Sequence, residues 1–299
     1  MEPSLPVLVR NINKEIICDF EVPEKMKKVW NVELNCLEIF KSICEKYNLK
    51  YYAINGTLLG AVRHEGFIPW DDDIDVGMPR KDYETFLIVA EKEIMLPYYL
   101  QTYKSERSFT MDMAKLRNSN TTGFTKTEAL NDTNKGIFID IFPIDNVPDD
   151  TVVRENDDKK HRFQMHLVSA VSKKANYKGF FGQIINVIRK IASMLVYQSV
   201  KERLLNKIIK DIKKYNDTQT VYCGMRSFWA KNPFIWRVED CQEVKEIPFE
   251  KTLIAVPIGF DRILTEIYGD YHKFVKAGSY HEGTIFEPDI PFEQYFERR

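Results

Sequence analysis

The sequence predicts a mixed α/β (α+β) fold, in which helices flank a mixed sheet. Residues 23–48 carry apolar side chains at helical spacing and predict a long amphipathic helix. Short runs rich in β-branched and aromatic residues, such as "DIDVGM" and "GIFIDIF", have the composition and length of strands. Because such runs alternate with helical patterns in the first half of the chain, we expect a sheet with helices packed on it.

The first helix has the clearest pattern. Pro23 suits its first turn. Its apolar stripe consists of Met26, Val29, Trp30, Leu37, Phe40, Ile43, Cys44 and Tyr47. Side chains of these types are usually buried, so we expect the stripe to face the core.

Strand candidates and helices follow in order. "YYAIN" (51–55) predicts a short strand, and "TLLGAVRH" after Gly56 predicts a helix. "DIDVGM" is the next strand, and Pro79 opens a helix that runs to about Glu93. The apolar face of that helix consists of Tyr83, Phe86, Leu87 and Ala90. "YYLQTYK", "MAKLRNS" and "GIFIDIF" complete the predicted strands.

Composition divides the chain into three parts. Residues 1–150 form the core, residues 151–215 form a basic amphipathic helical segment, and residues 216–299 complete the core. Between positions 173 and 214 there are eleven Lys or Arg residues against two acidic ones, interleaved with apolar residues. Two interpretations stay open: a helical insertion or subdomain with solvated lysines, or a surface that docks on an anionic membrane or a polyanionic acceptor.

Charge and cysteine content argue against several classes of protein. The 299 residues carry a formal net charge of −1, which argues against nucleic acid as a partner. The five cysteines form no C-x-x-C pair, and we interpret them as thiols in a reducing compartment. The sequence has neither a secretory signal pattern nor an apolar run of about 18 to 20 residues. We therefore expect a cytoplasmic protein, with the inner face of the membrane as a further location.

The stretch "FIPWDDDIDVGMPR" (67–80) sets four aspartates within five positions. Alternate residues of a strand share one face about 6.5 to 7 Å apart, so Asp71, Asp73 and Asp75 project together if the strand begins early. At an effective dielectric constant of about 20, two carboxylates at this separation repel by roughly 2.5 kcal/mol, which favours a bound cation. Carboxylate oxygens are hard ligands, so the pattern predicts Mg²⁺ or Mn²⁺.

The acidic run also invites comparison with a solvated turn, a calcium-binding hand and the D-D-x-x-D pattern of prenyl-diphosphate enzymes. A calcium hand requires Gly at its sixth position, where this sequence has Val76, and Pro79 interrupts the loop. The β-branched residues around Asp73 and Asp75 argue against the helix that the D-D-x-x-D pattern needs. A solvated turn stays open if the run is taken alone.

A further carboxylate and a glycine turn favour the metal interpretation. Asp140 lies in the apolar run "GIFIDIF", where an ionised carboxylate is costly unless a cation or an arginine neutralises it. Gly56 allows close approach of the backbone to a ligand, and Thr57 can cap the following helix and leave its amides facing an anion. A small-residue turn, an Asp-x-Asp strand and a later Asp form the layout of the nucleotidyltransferase fold. In that layout the carboxylates would converge on a two-metal site.

Four segments, "GTLLGAVRHEGFIPWDDDIDVGMPRKDYE", "AKLRNSNTT", "GIFIDIFPID" and "LTEIYGDY", together resemble the LicD family of phosphotransferases, relatives of fukutin-related protein. The resemblance implies a nucleotidyltransferase-like catalytic core that uses a CDP-alcohol donor. In its best-known form, phosphocholine moves from CDP-choline to a sugar hydroxyl of a teichoic acid or lipopolysaccharide, with release of CMP. Other members use CDP-ribitol or CDP-glycerol.

The resemblance also assigns residues. Asp73 and Asp75 match the metal-binding aspartates of the family, Asp140 matches the third, and Asp71 matches a fourth. Either Asp140 or Asp71 would take the proton of the acceptor hydroxyl. The segment "KFVKAGSYHEG" departs from the family pattern, so His281 has no assigned role.

Several residues are candidates for substrate contacts. Lys115 and Arg117 share one face of "AKLRN" and are expected to neutralise the donor diphosphate, Arg117 in bidentate fashion. Arg63 and His64 are expected to reach the phosphate or the acceptor. A quaternary ammonium group needs an aromatic cage. The candidates for it are Trp70, Tyr103, Phe124, Trp229 and Trp236.

Other functions fit the same residues. A nucleotidylyltransferase would use the same metals but would release pyrophosphate from a nucleoside triphosphate. An alternative of another class is a non-catalytic protein that holds a cation in the acidic cluster and binds a membrane. A metal-dependent glycosyltransferase is less favoured, because it normally has one Asp-x-Asp motif and no early Gly-Thr turn.

Overall fold

The computed structural model describes residues 6–106, 108–126, 128–172, 179–195, 198–226, 234–275 and 283–297. Its first elements are β1 (Glu15–Ile17), β2 (Phe20–Val22), α1 (Glu24–Lys46), β3 (Tyr52–Ala53), α2 (Asn55–His64), β4 (Asp75–Pro79) and α3 (Arg80–Glu93). Four strands follow: β5 (Tyr98–Gln101), β6 (Ala114–Asn118), β7 (Thr122–Phe124) and β8 (Ile137–Val147). Next come the helices α4 (Thr151–Ser172), α5 (Gly179–Leu195) and α6 (Gln198–Ile212). The last elements are β9 (Tyr222–Gly224), β10 (Ile235–Arg237), β11 (Val244–Phe249), β12 (Thr252–Pro257), α7 (Phe260–Tyr268), β13 (Ile285–Glu287) and α8 (Phe292–Glu297).

The main sheet is built around β8. Within the described residues it has seven strands. Five of them lie in the order β10, β9, β8, β4 and β3, while β6 also pairs with β8, and β5 pairs with β6. β4 runs parallel to β8, whereas β6 and β9 run antiparallel to it. Most of β8 is buried, as expected for a strand with neighbours on both edges and a helix across one face. The prediction of a mixed α/β fold is confirmed.

The long helix α1 packs across β8 and β6. Its predicted stripe is largely confirmed, because Val29, Trp30, Leu37, Phe40, Ile43 and Cys44 are all buried. Tyr47 is an exception. It follows the last helical residue, is 36% exposed, and its hydroxyl donates a hydrogen bond to Glu93. The core that α1 covers includes Ile139 and Ile141 of β8.

The strand that follows the acidic run begins later than the sequence suggests. β4 starts at Asp75, and residues 71–74 precede it in a non-helical, non-strand segment. The expectation that Asp71, Asp73 and Asp75 alternate along one strand is therefore wrong. The backbone N–H of Asp140 donates to the carbonyl of Ile74 at 2.8 Å, so this segment still lies directly beside β8.

The helical part of the chain has its own small core. α4 and α6 pack together, and the buried side chains between them are Tyr103, Met165, Val168, Leu205, Ile208, Ile209 and Ile212. Lys201 is 1% exposed and donates to the carbonyl oxygens of Tyr103 and Glu106, so it is not one of the solvated lysines expected there. Arg203, Lys207 and Lys210 are exposed on α6.

The last part of the chain adds to the main sheet through β9 and β10. It also supplies α7 beside α2, and β13 beside β7. Among the described residues we find no helix with both the length and the apolar character required to cross a bilayer.

Candidate active site

Two neighbouring strands bring the predicted metal-binding aspartates together. Asp75, the first residue of β4, is the register partner of Asp140 in the parallel strand β8. Asp73 lies just before β4 and is held against β8 by the Ile74 carbonyl contact. As a result, Asp73, Asp75 and Asp140 each place a carboxylate oxygen within 4.8 Å of the other two. Positions 65 residues apart in the sequence thus form one cluster.

A second group of carboxylates adjoins the first. Asp71, Asp72 and Asp73 also have carboxylate oxygens within 4.8 Å of one another, and Asp73 belongs to both groups. Burial, followed by the negative charges of Asp75 and Asp72, raises the pKa of Asp71 to about 7. Asp72, which the sequence analysis did not select, is 7% exposed. Its position between the two selected residues Asp71 and Asp73 could have indicated that it belongs to the site.

The chemistry of this donor set fits a divalent cation. All five side chains in the two sets are carboxylates, the hard ligands that Mg²⁺ and Mn²⁺ prefer. Lys115 contributes positive charge beside them, because its Nζ lies 2.7 Å from Asp140 Oδ1. Asp73, Asp75 and Asp140, whose carboxylate oxygens converge, are the residues that would hold the metal.

The start of α2 supports the acidic segment from the other side. A Cβ atom at Gly56 would stand 2.5 Å from Asp71 Oδ2, so a larger residue would force that carboxylate away. Thr57 Oγ1 accepts a hydrogen bond from the Asp75 backbone N–H at 2.8 Å. The prediction that Thr57 caps this helix is wrong, because α2 begins at Asn55 and has no side-chain cap. Thr57 instead joins α2 to the first residue of β4.

Asn55 is a site residue that the sequence analysis missed. Its Nδ2 donates to Asp75 Oδ2 at 2.8 Å, and its Oδ1 is buried with no hydrogen-bond partner. Its φ of +50° lies in the left-handed region, which Asn tolerates better than most residues. The Asn-Gly pair therefore begins a helix, with Asn55 orienting the carboxylate of Asp75.

Lys115 and Arg117, which share a face of β6, have different surroundings. Lys115 is the register partner of Asp140, and its Nζ also lies over the Phe138 ring. The Arg117 guanidinium is 1% exposed and donates to Gln101 Oε1, the carbonyls of Gly123 and Gly136, and Glu128. These acceptors already engage the guanidinium N–H groups that a diphosphate would need as donors. We therefore assign Arg117 to the support of the sheet and keep Lys115 at the site.

Arg63 and His64 lie at the far end of α2 and contact the segment after α7. Arg63 Nη1 donates to the carbonyl of Tyr271 at 2.9 Å, and its Nε donates to His64 Nε2 at 3.0 Å. Burial and the adjacent Arg63 lower the pKa of His64 to about 4, so the imidazole is neutral at pH 7. Burial raises the pKa of Tyr268, as do Asp71 and Asp75, while Arg63 lowers it. Tyr268 therefore lies within electrostatic reach of both the acids and Arg63.

The aromatic candidates for a choline cage lie in different places. Tyr103 belongs to the small helical core, Phe124 packs against Tyr295 and Phe296, and Trp236 is 2% exposed. Trp70 is half-buried next to the acidic segment, with its ring 6.0 Å from that of Phe20. Trp229 and His281 lie outside the described residues.

The sequence of this chain matches one family model and three known proteins. Residues 48–173 match the family model described as "LicD/FKTN/FKRP, nucleotidyltransferase domain". The chain is 32% identical over 241 residues to the lipopolysaccharide cholinephosphotransferase LicD of Haemophilus influenzae, and the match covers 80% of this chain and 88% of that protein. Two uncharacterised rickettsial proteins match over short segments: 44% identity over 59 residues in Rickettsia typhi, and 60% over 37 residues in Rickettsia prowazekii. These two matches cover 20% and 12% of this chain, and 19% and 14% of the rickettsial proteins.

Proposed function

The chain belongs to the LicD family, and from this membership and the acidic site we propose that it transfers a phospho-alcohol from a CDP-alcohol to a sugar hydroxyl, releasing CMP. The acceptor would be a cell-surface glycan or its lipid-linked precursor. The name of the Haemophilus relative favours phosphocholine as the transferred group and lipopolysaccharide as the acceptor class. The observation that carries the proposal is the convergence of Asp73, Asp75 and Asp140 within 4.8 Å.

The two overlapping carboxylate groups support a two-metal form of this chemistry. Because the two groups overlap at Asp73, together they offer the residues that would hold two cations, as two-metal phosphoryl-transfer sites require. Bound Mg²⁺ or Mn²⁺ would polarise the phosphoryl group, neutralise the leaving CMP and lower the pKa of the acceptor hydroxyl. Asp73, Asp75 and Asp140 would hold these cations in place.

The remaining side chains have separate tasks in this mechanism. Lys115 contributes positive charge beside Asp140 and, through it, beside the donor diphosphate. Asp71 is the favoured acceptor of the hydroxyl proton, because Asp140 is already paired with Lys115. Trp70 is the cage candidate that adjoins the acidic segment.

Product analysis tests the proposal. The purified protein is incubated with Mg²⁺, a lipopolysaccharide or glycolipid acceptor, and CDP-choline, CDP-ribitol, CDP-glycerol or CTP in turn. We expect CMP release with a CDP-alcohol and incorporation of its head group into the acceptor. Pyrophosphate release from CTP would support the rival nucleotidylyltransferase. Cation binding without turnover of any donor would support the non-catalytic alternative and overturn the proposal.

We further propose that α5 contacts an anionic membrane surface that carries the acceptor. Within the described part of the chain, α5 leaves an unusual number of large apolar side chains exposed, with Phe180 at 74% and Phe181 at 79%. The other exposed apolar residues of this helix are Ile184, Ile185, Val187, Ile188 and Ile191. α5 and α6 both pack against α4, and the exposed basic side chains on α6 complement anionic headgroups, a combination of apolar and basic surface that is typical of interfacial binding.

Vesicle co-sedimentation tests this contact. We expect the protein to bind phosphatidylglycerol vesicles more strongly than phosphatidylcholine vesicles. The double variant Phe180→Ser/Phe181→Ser should lose most of this binding while keeping CMP release with a water-soluble acceptor. Met95→Ser, at an exposed apolar position 77% accessible outside the helical segment, is the matched control. Equal vesicle binding by the double variant would overturn the assignment to α5.

A further inference from the structure

Helix α1 turns one charged side chain into the core beside the acidic site. Trp30 Nε1 donates to the backbone carbonyl of Asp71 at 3.0 Å, which fixes this face of α1 against the acidic segment. Glu33 follows Trp30 by three residues and so lies on the same face of the helix. It is 1% exposed, and the neighbouring Leu34 and Leu37 are fully buried. A glutamate on the apolar face of α1 requires an explanation.

Glu33 lies on the face of α1 that meets the acidic segment. Its Oε2 is buried without a hydrogen-bond partner, and within the described residues it forms no ion pair. Helix α1 also packs across β8, the strand that carries Asp140. In the absence of a cation, burial raises the pKa of Glu33 well above the ordinary value, and the charges of Asp73, Asp72, Asp71 and Asp140 raise it further. These four residues belong to the two carboxylate groups.

Three described carboxylates that are buried away from the site are neutralised by arginine. Asp112 and Asp145 both pair with Arg80, at 2.7 Å and 2.6 Å. Asp158 pairs with Arg226 at 2.6 Å. A carboxylate that only supports a fold normally has such a partner, because an unpaired buried charge is costly. The position of Glu33 is therefore accounted for by a positive charge that arrives with the ligand.

We propose that Glu33 is a positioning residue of the divalent-cation site, adding negative charge and a hydrogen-bond acceptor from the α1 side. It belongs to neither group of three carboxylates, so it acts on groups that the cation carries rather than as a direct ligand. Residue 33 also precedes the matched family segment, which begins at residue 48. The inference rests on the cation site of the proposed function, but not on the identity of the donor.

Calorimetric titration of Mn²⁺, together with thermal unfolding of the metal-free protein, tests this role. Glu33→Gln should weaken Mn²⁺ binding about tenfold or more, in the range found for residues that orient metal ligands. The same variant should unfold at an equal or higher temperature without metal, since a side chain that cannot ionise does not repel the neighbouring carboxylates. If Glu33 were purely structural, Glu33→Gln would leave Mn²⁺ binding unchanged and would lower the unfolding temperature of the metal-free protein.

Two further variants complete the test. Glu33→Leu keeps the buried volume without polar atoms and should weaken Mn²⁺ binding at least as much as Glu33→Gln. Glu45→Gln, at an exposed position of the same helix, should leave both measurements unchanged. Wild-type Mn²⁺ affinity in both Glu33 variants, or loss of metal-free stability in Glu33→Gln, would overturn the inference. Failure of the wild-type protein to bind Mn²⁺ would instead overturn the cation site itself.

Discussion

Asp75 and Asp140 are directly paired residues of the parallel strands β4 and β8. Neighbouring strands lie about 4.8 Å apart, so this register sets two carboxylates side by side before any ligand is bound. Asn55 orients the first carboxylate and Lys115 pairs with the second. The acidic centre is therefore built into the sheet, and its members should respond differently to substitution.

Asp75→Asn should reduce CMP release by about a hundredfold or more, because the amide is a poor ligand for a hard cation. The unfolding temperature of the metal-free variant should equal or exceed that of the wild type, since repulsion among the carboxylates is relieved. Activity assays and calorimetry measure the two effects. Asp217→Asn, at an exposed position, is the control, and near-normal turnover by Asp75→Asn would exclude the assigned metal site.

Lys115→Met should bind Mn²⁺ more tightly than the wild type, by roughly tenfold, because the ammonium group competes with the cation for Asp140. Turnover should nevertheless fall, since the positive charge beside the donor diphosphate is lost. Calorimetric titration and steady-state kinetics separate these effects. Lys207→Met, an exposed position on α6, serves as the comparison. Weaker Mn²⁺ binding by Lys115→Met would contradict the competition.

Arg117→Lys should lower the free energy of unfolding by about 2 kcal/mol or more, because one ammonium group cannot reach the acceptors that the guanidinium serves. The KM for the donor should stay within about twofold, as Arg117 is assigned to the sheet. Denaturant unfolding and initial rates provide the measurements, with the exposed Arg203→Lys as control. A large rise in KM with unchanged stability would show instead that Arg117 binds the donor diphosphate.

Glu128 should make stability depend on pH in the acid range. Burial alone would raise its pKa, but Arg117 and Lys115 outweigh this and hold the pKa at about 2. Because the folded pKa lies below the ordinary value of 4.5, the stabilisation is present above pH 4.5 and is lost as pH falls towards 2. Glu128→Gln should therefore lose less stability than the wild type across this interval. Parallel curves of unfolding free energy against pH would contradict the prediction.

Much of the architecture was predictable because it depends on local periodicity. The burial of α1 follows from its stripe, and the helix that begins after Pro79 follows from the fixed φ of proline and the apolar face behind it. The acidic run and Asp140 were predicted as metal ligands from residue type, spacing and the family resemblance, and the structure brings their carboxylates together. The start of β4 was misplaced, since the limits of a strand depend on where its pairing with distant strands begins and ends.

The sequence by itself determined the mixed α/β class, the family resemblance and the aspartates that form the acidic centre. Only the tertiary structure decided which charged side chains serve that centre. Arg117 is enclosed by carbonyls from two other segments, Lys115 pairs with Asp140, and Glu33 is buried on the face of α1 that meets the acidic segment. The physical reason is that the charge state and partners of a buried group depend on strand register and helix packing between residues far apart in the chain. The identities of the neighbouring residues do not determine these long-range contacts.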